Sequence, residues 1–124
     1  MMAAAIRSTD LERSIAFYTE TLGMVVRGRV DRGDLSEVML AFAGRENSPG
    51  IMLFKHLDSA SSVAVDHGNT EAKIIIDTPD AAAIVQRMTA RGDKMEAIQT
   101  VGPYRILVAY DPDGYTLEIV QRPR

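Results

Sequence analysis

Residues 8–23 read STDLERSIAFYTETLG, and residues 78–92 read TPDAAAIVQRMTARG. Each stretch spells a short helix with its start and stop included. In the first, Thr9 followed by Glu12 predicts a capping box, in which side chains satisfy the orphan donors of the opening turn. Leu11, Ile15, Tyr18 and Leu22 recur at helical spacing, so one face is apolar. Gly23 supplies the left-handed stop. In the second, Thr78 is the predicted cap, Pro79 takes the first helical position, and Gly92 ends the helix. Setting Asp10 on Asp80 superposes the two stretches at an offset of 70 residues.

What surrounds each helix repeats as well. AAAIRS (3–8) precedes the first as a strand, and MVVRGRV (24–30), SEVMLAFA (36–43) and GIMLFKH (50–56) follow as three more. EAKIIID (71–77) precedes the second, and DKMEAIQ (93–99), YRILVAY (104–110) and YTLEIVQ (115–121) follow. Between the halves, LDSASSVAVDHGNT is small and polar and reads as a linker. The expected class is α+β. One domain of 124 residues holds two βαβββ modules, about 1–57 and 71–124, joined by a linker over about 58–70. A helix covers one face of each short sheet. The two sheets are expected to curl into a half-open eight-stranded cup, helices outside, with a concave face free to bind.

Composition removes several functions. The net charge is −3 and no basic run exists, which speaks against a nucleic-acid partner. There is no cysteine, hence no disulfide, thiolate nucleophile or Cys-zinc site. Two histidines, His56 and His67, are too few for a multi-histidine metal cage within one chain. No apolar run approaches a membrane span, and MMAAAIRSTD lacks a basic n-region, so a cytoplasmic location is expected. Ser59, Ser61 and Ser62 have no base arranged nearby and suit a linker. DPDG (111–114) lacks the further spaced acids of a calcium loop and reads as a turn.

DLERSIAFYTETLGM (10–24) and, further on, DPDGYTLEIVQ (111–121) resemble the glyoxalase I/bleomycin-resistance/extradiol-dioxygenase group, the vicinal-oxygen-chelate superfamily. The similarity runs from about Ala3 to Gln121. It implies a homodimer and a small-molecule ligand. It also implies a divalent metal held by four strand side chains, whose places fall at Ala3, Met52, Glu71 and Glu118. Two of these keep a donor, and both are carboxylates. A zinc or nickel site wants three or four protein donors. Two carboxylates suit at most a weakly bound magnesium or manganese with several waters. The expected cofactor is therefore none, or otherwise a loosely held divalent metal on Glu71 and Glu118.

Alternation along strands groups the remaining candidates. Glu118 shares a face with Thr116 and Val120, Glu71 with Lys73 and Ile75, Met52 with Phe54 and His56, and Ala3 with Ala5 and Arg7. Glu118 and Glu71 are the candidate catalytic acids. Arg7, Met52, Phe54, His56 and Lys73 are the candidate ligand-binding residues, Arg7 because a guanidinium fork matches an anionic group. An acid in a partly dry cavity needs a counter-charge, and Lys73 or Arg7 could replace a lost metal in that role. Two functions stay open. One is a glyoxalase-like lyase or isomerase, abstracting a proton next to a carbonyl of a small oxygenated substrate. The other is a metal-free, drug-sequestering protein of the bleomycin-resistance type. An extradiol dioxygenase requires two histidines and a glutamate on iron, which the donor count does not supply.

Overall fold

The computed structural model describes residues 1–58 and 62–124. Ser59 and Ser61 of the predicted linker lie outside the described residues. The chain forms two compact units, Met1–Asp66 and His67–Arg124.

The first unit contains β1 (Ala3–Arg7), α1 (Leu11–Ala16), a π-helical continuation (Phe17–Thr21), β2 (Met24–Asp31), β3 (Leu35–Phe42) and β4 (Gly50–His56). The second contains β5 (Lys73–Thr78), α2 (Ala81–Arg91), β6 (Gln99–Val101), β7 (Tyr104–Tyr110) and β8 (Thr116–Gln121). Sheet order is β1-β4-β3-β2 in one and β5-β8-β7-β6 in the other. β1 runs parallel to β4 and β5 parallel to β8, and the other pairs are antiparallel. The βαβββ repeat is present in both units, and the class is α+β.

Each sheet buries the face that carries its helix. In the first unit Ile6, Val38, Leu40, Ile51 and Leu53 are buried with Leu11, Phe17 and Tyr18. In the second, Ile76, Leu107, Leu117 and Ile119 are buried with Ala81, Ile84 and Met88. Each of the large side chains among them contributes on the order of 1.5–3 kcal/mol by leaving water.

The helix starts differ from the sequence expectation by one residue or more. The first N-cap is Asp10, whose carboxylate accepts from the Arg13 N–H at 3.1 Å. Thr9 instead accepts from the Arg13 guanidinium, and Glu12 reaches Arg29 on β2 at 2.7 Å rather than closing a capping box. Asp80, not Thr78, caps α2 by accepting from the Ala83 N–H at 3.1 Å. Pro79 therefore precedes the cap. A carboxylate is the stronger acceptor at the positive end of a helix, which decides both contests.

The buried stripe of the first helix runs Leu11, Ser14, Phe17, Tyr18 and Thr21. Ser14 and Thr21 are buried where Ile15 and Leu22 were expected, and Ser14 is satisfied by the Ser8 hydroxyl at 2.7 Å. Gly23 and Gly92 hold φ of 69° and 75° after their helices, as a left-handed stop requires. DKMEAIQ is not a continuous strand. Met95 makes a lone bridge to Ala109, and regular pairing begins only at Gln99. β2 is the outer strand of its sheet and carries a bulge between Val26 and Gly28.

Candidate functional site

The helix-free face of each sheet is read from the registers. In the first unit one row runs Ala5, Met52, Met39, and the next runs Arg7, Phe54, Glu37. His56 follows at the end of β4 opposite Leu35, with its ring edge-on to Phe54 at 5.9 Å. The structure thus brings together four of the expected binding residues: Arg7, Met52, Phe54 and His56. Met52 and Phe54 are half-buried and His56 is exposed. The Arg7 guanidinium donates to the Val63 carbonyl at 3.1 Å. This face is apolar at Ala5, Met52 and Met39 and bears charge along the Arg7 row.

In the second unit the corresponding rows are Lys73, Thr116, Tyr110 and then Ile75, Glu118, Val108. The Lys73 ammonium donates to the Glu118 carboxylate across the parallel β5–β8 pair. Glu118 is 18% exposed at its side chain and Lys73 is 51% exposed. A strand otherwise built for burial therefore keeps its acid because a neighbouring strand neutralises it. Glu71 lies two residues before β5 begins and is exposed. With Thr70, Ala72, Lys73 and Thr116 it lines a shallow cavity of about 350 Å³.

One neighbour of this face escaped the sequence reading. Tyr110 stands beside Thr116, and its hydroxyl donates to Glu96 Oε1 at 3.1 Å. That hydrogen bond raises the phenol pKa above its ordinary value, with burial and the Glu96 charge acting in the same direction. Lys94 lies over the ring at 5.0 Å. Along β7, Tyr110 shares a face with Val108 and Ile106. Only the β7–β8 register, however, shows that this set adjoins Glu118. His67 was assigned to the linker. It belongs to the second unit, bonding the Asp113 carbonyl through Nε2 at 2.9 Å and meeting the Tyr115 ring edge-on at 4.8 Å.

Against this geometry, residues 2–119 match the family model of the Glyoxalase/Bleomycin resistance protein/Dioxygenase superfamily. The chain belongs to that superfamily. A putative lactoylglutathione lyase of Brassica oleracea var. gemmifera is 35% identical over 123 residues, covering 94% of this chain and 42% of its own length. A lactoylglutathione lyase of Neisseria meningitidis is 26% identical over 127 residues, covering 98% of this chain and 90% of its own. The crystal structure of glyoxalase I from Zea mays superposes with a TM-score of 0.88 at 26% identity, covering all of this chain and 45% of that one. The chain thus spans less than half of the plant proteins it matches.

The side chains at the four places that the resemblance marks for a metal do not fit one. Ala3 has no donor, and Met52 offers only a thioether. Glu118 is already held by an ammonium. Among the described residues, no three of His, Cys, Asp and Glu stand close enough to share an ion. A tightly held zinc or nickel site needs three or more such donors.

Proposed function

We propose that this superfamily member is a glyoxalase-like lyase or isomerase acting on a small oxygenated substrate, with Glu118 as the proton-accepting carboxylate. The observation that carries this reading is the Lys73–Glu118 pair on the helix-free face of β5 and β8. It puts a carboxylate and a cation side by side, next to a cavity of small-molecule size. Lactoylglutathione lyases among the relatives support the same reaction class.

The chemistry is one proton transfer out and one back. The substrate is a 2-hydroxycarbonyl compound or a hemithioacetal. Its C–H bond beside the carbonyl breaks, the proton passes to Glu118, and the electron pair moves onto the carbonyl oxygen. The proton returns to the neighbouring carbon, and the hydroxyl proton of the first carbon passes to the enediolate oxygen, so a new carbonyl forms where the C–H was lost and no oxidant or reductant is consumed. Half of the Lys73 side chain is open to solvent. Its ammonium can hold the developing oxyanion while remaining beside Glu118, a fixed charge aimed where negative charge appears. The exposed carboxylate of Glu71, on the cavity rim, is the second acid able to exchange a proton with bound substrate. On the first unit, Arg7 stands with Met52, Phe54 and His56 on the helix-free face, and its guanidinium fork suits an anionic group. The assembly proposed is a homodimer, checked by analytical ultracentrifugation.

The test is conversion of glutathione hemithioacetals and simple 2-hydroxycarbonyl compounds by untagged protein, with and without added nickel, zinc or magnesium. Turnover that falls at least about a hundredfold in Glu118→Gln supports the reading. Glu118→Gln with undiminished turnover, or no turnover on any such compound, removes it.

A further inference from the structure

The two units repeat each other closely enough to match positions strand by strand. Asp10 and Asp80 cap the two helices, 70 residues apart. β1 begins at Ala3 and β5 at Lys73, the same 70-residue step. Ala3 pairs with Gly50, and Lys73 pairs with Thr116. Ala5 pairs with Met52, and Ile75 pairs with Glu118. The structural counterpart of Ala3 is therefore Lys73, and the counterpart of Met52 is Glu118.

The sequence resemblance had set Glu71 at the third metal-ligand place, two residues ahead of β5. The repeat places Lys73 there instead. Of the four strand positions, one is then an alanine, one a thioether, one a carboxylate and one an ammonium. The ammonium is bonded to the sole carboxylate.

We infer that Lys73 is a built-in cation standing where the superfamily resemblance puts a metal ligand, and that it makes the site refractory to divalent ions. The physical reason is double occupancy of charge. A lysine ammonium has three donors and no lone pair, so it cannot ligate a metal. Its positive charge repels one, and it occupies the carboxylate that a metal would need. Glu118 gains the neutralisation that an ion would otherwise supply, without a dependence on metal availability. The inference does not require catalysis. It concerns which cation Glu118 holds, and a purely binding protein would show the same behaviour.

The experiment uses the full untagged chain, with nickel and zinc as probes. Wild type, dialysed against each metal and then against buffer, is expected to retain well below one equivalent by elemental analysis. Its melting temperature is expected to be the same with and without chelator. Lys73→His replaces the cation with a neutral donor beside Glu118 and is expected to raise metal affinity by at least about tenfold. Lys73→Arg keeps the charge and is expected to stay metal-free. Where Lys73→His folds poorly, Lys73→Gln, which exchanges the ammonium for a shorter neutral amide, is expected to rise in the same direction. Stoichiometric, chelator-sensitive metal in wild type overturns the inference. So does equal metal uptake by the His, Gln and Arg variants. Loss of hemithioacetal turnover with these metal results intact would count against the proposed reaction alone.

Discussion

Gly50 opens β4, and its replacement by alanine tests the packing that seats Met52 and Phe54. A β-carbon built there would lie 2.0 Å from the Leu40 carbonyl oxygen and 3.1 Å from its carbonyl carbon. An ordinary carbon–oxygen approach is roughly 3.3 Å. Because both partners of the clash are backbone, β3 and β4 must part by more than an ångström near the Leu40–Ile51 pair. Ladder hydrogen bonds stretched that far cease to be bonds. Losing one or two of them costs about 1 kcal/mol each, and the overpacking adds about 1–3 kcal/mol. Alanine narrows the unfolded ensemble and returns about 0.4–1 kcal/mol. The net expectation is a destabilisation of about 2–4 kcal/mol, read as a drop in the urea midpoint. Gly28 is the control. It has nothing within 4 Å of the added carbon and no positive φ, so Gly28→Ala should keep only the unfolded-state gain and stabilise by about 0.4–1 kcal/mol. A Gly50→Ala protein as stable as Gly28→Ala would refute the close backbone approach.

Three further outcomes are expected. Asp80→Ala should cost about 1 kcal/mol by urea titration, whereas Glu12→Ala should cost less than about 0.5 kcal/mol because its pair with Arg29 is exposed; the reverse ranking would restore the capping box. A double-mutant cycle of Lys73→Met with Glu118→Gln should give a coupling of about 1 kcal/mol, limited by the solvent exposure of Lys73, and zero coupling would mean the pair is absent in solution. The raised Tyr110 pKa stabilises the fold fully below the unfolded tyrosine value, and this contribution is lost as pH rises through the folded value. Glu96→Gln should therefore move one tyrosinate absorbance transition to lower pH, and an unchanged titration would contradict the Tyr110–Glu96 bond.

The parts of the fold that were legible are those whose signals are local. Apolar spacing, stop glycines and alternating strands sit within a few residues of one another, and the 70-residue repeat made each half support the other. The caps were misread because Thr9 and Asp10 are adjacent candidates, and only the three-dimensional turn shows which oxygen meets the free N–H. The short π turn was invisible to a search for ordinary helical spacing. Glu71 illustrates the harder limit. Alternation put it on the same face as Lys73, yet the position at which β5 first meets β8 is a long-range matter, settled by the Lys73–Thr116 pairing. Tyr110 was overlooked for the same reason: its relation to Glu118 exists only across two strands.

The bulge in β2 bears on how this protein behaves when crowded. An outermost strand offers unsatisfied amide groups to any extended peptide that drifts alongside, and Val25, Val26 and Val30 would reward such a visitor. The extra residue between Val26 and Gly28 breaks the even spacing that an incoming chain would have to match. Arg27, Arg29 and Asp31 line the same stretch with charge. Deleting the extra residue, Arg27, would even that spacing, and the deletion variant is expected to scatter more light on agitation than the intact chain.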